Sequence, residues 1–284
     1  MPELPEAEIT KRKLAPLIRK TIASFSCDWP RGLRVARSTR DSNRDIRGRR
    51  VRSIHRHGKV IFLELGGRVN VGRRTMAFHQ RMSGRLEIPP RDTKPTKHVH
   101  HILTISHGPA LWFHDPRKFG VIWYGKPEQV KKEPYHLTLG SDGLTITLAG
   151  FKARLREHRG MIKPLLLRQD VVAGIGNIVA DEALWEARLN PKRRVHTLKD
   201  AEIIRLFRAM KNVFRRGIRA QGASLRDWAD PLGESGKFQK YFRVYGRGGE
   251  KCPRSRTPIK RIVVGGRGTW ICPRCQRLRP VTLL

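Results

Sequence analysis

Nowhere in the 284 residues do about 18 apolar residues run together, so no stretch reads as a membrane-spanning helix. The first residues carry no apolar segment behind their charges, which argues against a secretory signal and for a cytoplasmic protein. Cysteine is scarce: Cys27 stands alone, and the other three, Cys252, Cys272 and Cys275, gather near the C-terminus. That distribution excludes a disulfide scaffold and has the geography of a metal site. Acidic residues are also few, 24 against 60 lysines and arginines, a formal charge of +36. Self-repulsion of that size burdens an ordinary enzyme but suits a polyanionic partner. Nucleic acid leads, because neutralised phosphates release counterions, with an acidic membrane surface second. Internal repeats and long low-complexity tracts are lacking too.

What is present begins with Met-Pro-Glu-Leu-Pro-Glu-Ala-Glu. Once Met1 is removed, Pro2 is a free secondary amine. An N-terminal amine titrates near roughly 7.7–8.0, so part of it is unprotonated at neutrality. Attack on an electrophilic carbon then gives an iminium ion, with Glu3 beside it to carry protons. Glu6 lies one helical turn further if a helix starts near Pro5. Ile9, Leu14 and Leu17 fit that helix, and Pro16 should kink or end it. The same acids equally suit an ordinary helix start.

Residues 20–125 read as strands, among them 50–55, 60–65, 85–88, 101–106 and 110–113, punctuated by Gly and Pro. They predict an antiparallel sheet or sandwich. Residues 126–139 turn polar with two prolines and read as a linker. Helical spacing follows over 151–157, 162–167, 177–187 and 197–217. Residues 222–240 read as a mobile loop, and 242–284 as a short β unit turning at Gly265-Gly266.

Several segments could carry chemistry. Gly174-Ile-Gly-Asn177 at a helix start would offer backbone N–H groups to a phosphate. It lacks the third glycine and preceding strand of a dinucleotide fingerprint, and an ordinary helix–helix turn has the same composition. Cys252-x2-Ser255-x16-Cys272-x2-Cys275 has zinc-ribbon spacing with serine in one ligand position. A hydroxyl is a far poorer ligand than a thiolate, so under-stoichiometric zinc is expected. Between those cysteines a predicted hairpin carries Arg267 at its tip. In the β half, Lys59 follows Gly58 at a strand start. Met82 and the Asp115-Pro-Arg-Lys-Phe-Gly120 loop offer a Met, an Arg and a Phe that could together wedge into a base stack. Taken singly, each reads as core filler or surface charge.

With these residues in view, the chain resembles the bacterial formamidopyrimidine-DNA glycosylases, which remove 8-oxoguanine and ring-opened purines. The resemblance runs from the N-terminal octet through Asp-Pro-Arg-Lys-Phe-Gly, Gly-Ile-Gly-Asn-Ile and Val-Tyr-Gly-Arg to Val-Gly-Gly-Arg-Gly-Thr. It implies an α+β fold: an N-terminal β-sandwich with a leading helix (1–130), a helix–two-turn–helix domain (141–240, with a lesion loop at 222–240) and a zinc-ribbon-like hairpin (244–278). It implies Pro2 as nucleophile, Glu3 as acid/base partner, Lys59 in β-elimination and Arg267 in δ-elimination and phosphate binding. Met82, Arg117 and Phe119 would fill the void left by the extruded base, with Arg117 facing the orphaned cytosine. His79, His98, Lys163 and Asn177 would be further DNA contacts. Structural zinc would sit on Cys252, Cys272 and Cys275 with Ser255 fourth, and a monomer would act on damaged double-stranded DNA. Val179 stands where the family usually has tyrosine, and Arg168 where it has aspartate. Rival readings are an endonuclease VIII-like enzyme for oxidised pyrimidines and a non-catalytic basic DNA-binding module.

Overall fold

The computed structural model describes residues 2–35, 38–67 and 72–278. Helix α1 (Leu4–Lys13) starts where Glu3 and Glu6 close a capping box, and it ends ahead of a 3-10 turn, Ala15–Leu17, that contains Pro16. After it come β1 (Ile22–Cys27), β2 (Leu33–Arg34), α2 (Thr39–Ile46), β3 (Arg50–His57), β4 (Val60–Gly66), β5 (Arg74–His79), β6 (Arg85–Glu87), β7 (Val99–Ile105), β8 (Leu111–His114) and β9 (Val121–Gly125). One sheet runs β2-β9-β5-β4-β3 and the other β1-β7-β8-β6. Phe25, Ile61, Leu63, Met76, Phe78, Leu86, Leu103, Phe113 and Ile122 share one buried core. The central strands β5 and β9 are buried along nearly their whole length, so they show no alternation in sequence. The expected sandwich with a leading helix is present.

The stretch read as a linker is structured. It forms α3 (Pro127–Lys131) and α4 (Pro134–Leu137), each with proline in its first turn. They hold to the sheet because the Trp123 indole N–H donates to Glu133 at 3.0 Å and the His136 ring meets Trp123 at 4.4 Å.

Two compact units result: Met1–Thr138 with Ala220–Lys237, and Leu139–Arg219 with Phe238–Leu284. Of the loop predicted at 222–240, residues up to Lys237 group with the N-terminal unit. Buried polar contacts draw it there. The Ala223 N–H donates to Glu6 at 2.9 Å, Lys13 pairs with Asp230 at 3.4 Å, and the Ile88 N–H donates to the Pro231 carbonyl at 2.6 Å. The loop is also internally organised, since the Asp230 carboxylate accepts the Leu232 and Glu234 N–H groups at 2.8 and 3.0 Å.

In the second unit, α5 (Leu148–Arg156), α6 (Ile162–Leu167), α7 (Asn177–Glu186) and α8 (Asp200–Arg219) pack with a two-residue parallel pair, β10 (Ser141–Asp142) and β11 (Val172–Ala173). A hairpin of β12 (Lys260–Val264) and β13 (Arg267–Ile271) turns at Gly265-Gly266, both at positive φ (56° and 72°). Gly265 also lies against Pro164, where a Cβ would come within 2.6 Å of the ring. No helix among the described residues is long and apolar enough to cross a membrane.

Candidate active site and nucleic-acid interface

Pro2 and Glu3 lie buried at the head of α1. The Glu3 N–H donates to Glu6 Oε2 at 2.7 Å, while Glu6 Oε1 accepts from Ala223 at 2.9 Å. One carboxylate therefore ties the N-terminal segment to the loop. Burial, then the Glu3 charge, pushes Glu6 up to about 7 against the pull of those backbone N–H groups. A carboxyl raised in the folded state adds stability that is complete below the unfolded value and lost as pH rises through about 7. Replacing Glu6 with Gln is expected to flatten the decline in melting temperature between about pH 5 and 7.5 that follows from this linkage. Parallel profiles for parent and variant would contradict it.

Lys59 is buried in the two-residue turn joining β3 and β4, beside Gly58 at φ 56°. Arg56 fixes this turn by donating from Nη1 to the Gly58 carbonyl at 2.8 Å and from Nε to Glu8 at 3.1 Å. Burial disfavours the Glu8 charge, but bonds from Lys11, Arg12 and Arg56 outweigh it and hold that carboxyl below its usual range. Through Glu8, α1 is tied to the lysine turn. Neither Glu8 nor Arg56 was singled out in the sequence, because an ion pair 48 residues apart leaves no local pattern.

His79 ends β5 across from Val60. Burial and then the Arg81 and Lys59 charges push it down to about 3, so the ring is neutral. Its Nδ1 accepts from the Arg81 N–H at 2.9 Å, which leaves the proton on Nε2. His98 is half-buried, edge-on to His114 at 5.7 Å.

The Met82 loop and the Arg117–Phe119 loop are brought together by Asp115, the first residue of the predicted Asp-Pro-Arg-Lys-Phe-Gly segment, whose clamping role no local pattern announces. Its Oδ1 accepts from the Ser83 hydroxyl at 2.5 Å and its Oδ2 from the Gly120 N–H at 2.6 Å. The apolar side chains these loops carry stay out in solvent: Met82 and Phe119 are each 52 % exposed. The Arg117 guanidinium lies 5.3 Å from the Phe119 ring centroid.

In the second unit, Asn177 Nδ2 donates to the Gly268 carbonyl at 3.0 Å. Lys163, expected as a DNA contact, has a fully buried side chain. Its ammonium pairs with Asp181 at 2.6 Å and donates to Gly268 O at 3.0 Å and Thr269 Oγ1 at 2.7 Å. Asp181 in turn accepts the Trp270 N–H at 3.1 Å. Burial raises the Asp181 carboxyl to about 7 even with Lys163 pulling it down. The lysine thus anchors the hairpin, and Arg267, at the start of β13, remains exposed. Glu182, also buried, accepts N–H groups from Arg243, Val244 and Tyr245, which seats the Val-Tyr-Gly-Arg segment.

The sulfurs of Cys252, Cys272 and Cys275 lie within 4.8 Å of one another. Ser255 Oγ sits 3.1 Å from Cys272 Sγ. Three soft donors and a hydroxyl at this spacing suit one tetrahedral ion such as zinc. Burial disfavours a Cys252 thiolate, but the Ser255 and Arg254 N–H groups and the Trp185 indole bring it down to about 6.

The comparisons with known proteins cover almost the whole chain. Residues 1–122 match the formamidopyrimidine-DNA glycosylase N-terminal domain, 139–228 the H2TH domain of the same glycosylase, and 249–278 a zinc finger found in FPG and IleRS. A formamidopyrimidine-DNA glycosylase of Chloroflexus aurantiacus is 40% identical over 97% of this chain and 98% of its own length. The Bacillus subtilis protein of that name is 37% identical over 97% and 99%. Among solved structures, the MutM (Fpg) protein of Thermus thermophilus superposes with a TM-score of 0.85 at 36% identity, over 98% of this chain and 100% of that one. A Lactococcus lactis Fpg mutant in complex with Fapy-dG-containing DNA gives 0.87 at 32% identity, with the same coverage.

Proposed function

Because the chain belongs to the formamidopyrimidine-DNA glycosylase family, we propose that it excises oxidised purines from duplex DNA and then cleaves the abasic strand, with the Pro2 nitrogen as nucleophile. The observation that carries this reading is the full-length match, which includes Pro2 and Glu3 at the head of α1. A target atom stacked in a duplex is out of reach, so the nucleotide is first turned out, at a cost of a few kcal/mol. Met82, Arg117 and Phe119 offset that cost by filling the gap, and Arg117 faces the unpaired cytosine.

After removal of Met1, the Pro2 lone pair forms a bond to C1′ of the damaged nucleotide. The glycosidic bond breaks, and the base leaves with the electron pair and a proton. Opening of the sugar ring, with Glu3 supplying and removing protons, gives an iminium between Pro2 and C1′. The iminium withdraws electrons and acidifies the C2′–H. Loss of that proton expels the 3′ phosphate in β-elimination, where Lys59 acts. A second elimination expels the 5′ phosphate, with Arg267 binding the departing anion. Asn177 contacts the backbone beside it, and His79 and His98 line the DNA surface of the N-terminal unit. Lys163 serves through the hairpin it anchors, since its ammonium is already committed to Asp181.

Borohydride reduction of the processed protein on an 8-oxoguanine duplex should yield a covalent adduct, and its absence would favour the binding-module reading. The endonuclease VIII alternative is not favoured. Leu4, Met82, Arg117 and Phe119 follow the purine-specific pattern, and the full-length relatives carry the formamidopyrimidine name. Arg117→Ala is expected to relax selectivity for cytosine opposite the lesion by about 1–3 kcal/mol, the worth of a bidentate base contact. Equal excision opposite all four bases by the parent would overturn the assignment.

Zinc would be held by Cys252, Cys272 and Cys275, with Ser255 as the fourth candidate donor, and would supply a structural cross-link at the hairpin. Elemental analysis is expected to find less than one zinc per chain, rising towards one in Ser255→Cys. One tightly held zinc in the parent would refute this.

A further inference from the structure

Helix α8 carries charge that no step above uses. Positions 205, 208, 212, 215 and 219 recur at alternating three- and four-residue spacing, which sets them on one face over about 21 Å. All five are exposed: Arg205, Arg208, Asn212, Arg215 and Arg219. The buried face is Ile203, Leu206, Met210, Val213 and Phe214. Neighbouring cations are neutralised, Lys152 and Arg156 by Asp200 and Arg216 by Glu186. Among the described residues, none of the four exposed arginines forms an ion pair. Like charges three and four residues apart weaken a helix, so this face costs the fold stability. An ordinary solvated face would mix the two signs.

The face is also distinct from the surface that presents Arg267. On α7, Asp181 bonds to the hairpin and Trp185 to Cys252, while Glu186 reaches Asn212 and Arg216 of α8. Neighbouring helix positions point about 100° apart, so the hairpin and α8 occupy different sides of α7. Two arginine pairs, Arg205 with Arg208 and Arg215 with Arg219, flank Asn212, whose amide is held by Glu186, and such pairs suit the phosphates of a duplex, with which arginine pairs bidentately.

We propose that this arginine face of α8 binds the phosphates of a second duplex segment, separate from the one undergoing repair, so that the protein passes directly between DNA segments. The inference rests on the duplex-DNA reading above. The test compares the parent with the variant R205Q/R208Q/R215Q/R219Q; glutamine keeps helix propensity, and a thermal melt confirms folding. With undamaged duplex at low salt, the parent should bind two duplexes per chain. Its release from a labelled duplex should accelerate as unlabelled duplex is added. The variant should bind one, release at a rate independent of competitor, and trap an 8-oxoguanine duplex as well as the parent. One duplex per parent chain, or competitor-dependent release that survives in the variant, would overturn the proposal. So would a variant salt slope for the lesion duplex lowered by about 0.9 per lost contact, because the arginines would then belong to the repair footprint. Failure of the parent to trap the lesion duplex would instead sink the glycosylase reading and leave the stoichiometry to be judged alone.

Discussion

Pro2→Gly is expected to lower excision of 8-oxoguanine by at least about 10³-fold, the scale on which losing a covalent nucleophile acts, and with it the borohydride-trapped adduct on an 8-oxoguanine duplex. Glycine leaves a primary amine at the same place, so what remains measures how much the reaction needs a ring nitrogen. The buried surroundings sharpen the contrast. Glu3 and Glu6 share a capping box and Glu6 reaches Ala223, so a change at position 2 leaves the next four residues pinned. A variant with melting temperature intact and trapping lost would locate the effect in the chemistry. Protein that retains Met1 should behave alike, since its Pro2 nitrogen is an amide. Strand scission by either form at the parent rate would end the assignment.

Asp181→Ala should cost about 3–5 kcal/mol of stability, as expected when one partner of a buried ion pair is removed and the other stays. The fully buried Lys163 ammonium would lose its anionic partner while its bonds to the Gly268 carbonyl and the Thr269 hydroxyl stay in place. The double variant Lys163→Met/Asp181→Leu removes both charges and should recover most of that loss, because apolar groups of similar volume replace a buried pair at little cost. Urea melts of the two proteins decide this. Equal destabilisation by the single and double variants would show that packing rather than charge holds the hairpin. Arg267 should feel the same change: with β13 no longer anchored through Lys163, strand cleavage should fall further than base removal. A product ratio unchanged from the parent would dissociate Lys163 from the hairpin's role.

How much was legible in the sequence follows from the range over which each feature is encoded. Strands 50–57 and 60–66, the Gly265-Gly266 turn and the helices with apolar residues every three or four positions announce themselves within a dozen residues. Pro16 and the acids of the first turn mark the limits of α1 in the same local way. Segment 127–137 went unread as helix because two four- to five-residue helices are too short for periodicity to register. Lys163 looked like a surface cation because lysine normally is one, and its partner lies 18 residues on, across a turn. The ties of Asp115 to Ser83, of Glu8 to Arg56 and of Glu182 to Arg243, Val244 and Tyr245 reach far along the chain, so no spacing rule could find them.

By itself, then, the sequence determined the chemistry on offer: a proline poised to become an amine, three thiols and a serine, an excess of cations, and the alternation that makes sheets. The tertiary structure alone decided which charges are buried and committed and which stay available. It turned Lys163 inward and drew 220–237 onto α1. It made Asp115 a clamp and left four arginines of α8 facing water. The reason is energetic: a buried charge persists only where folding brings it a partner, and those partners come from distant parts of the chain.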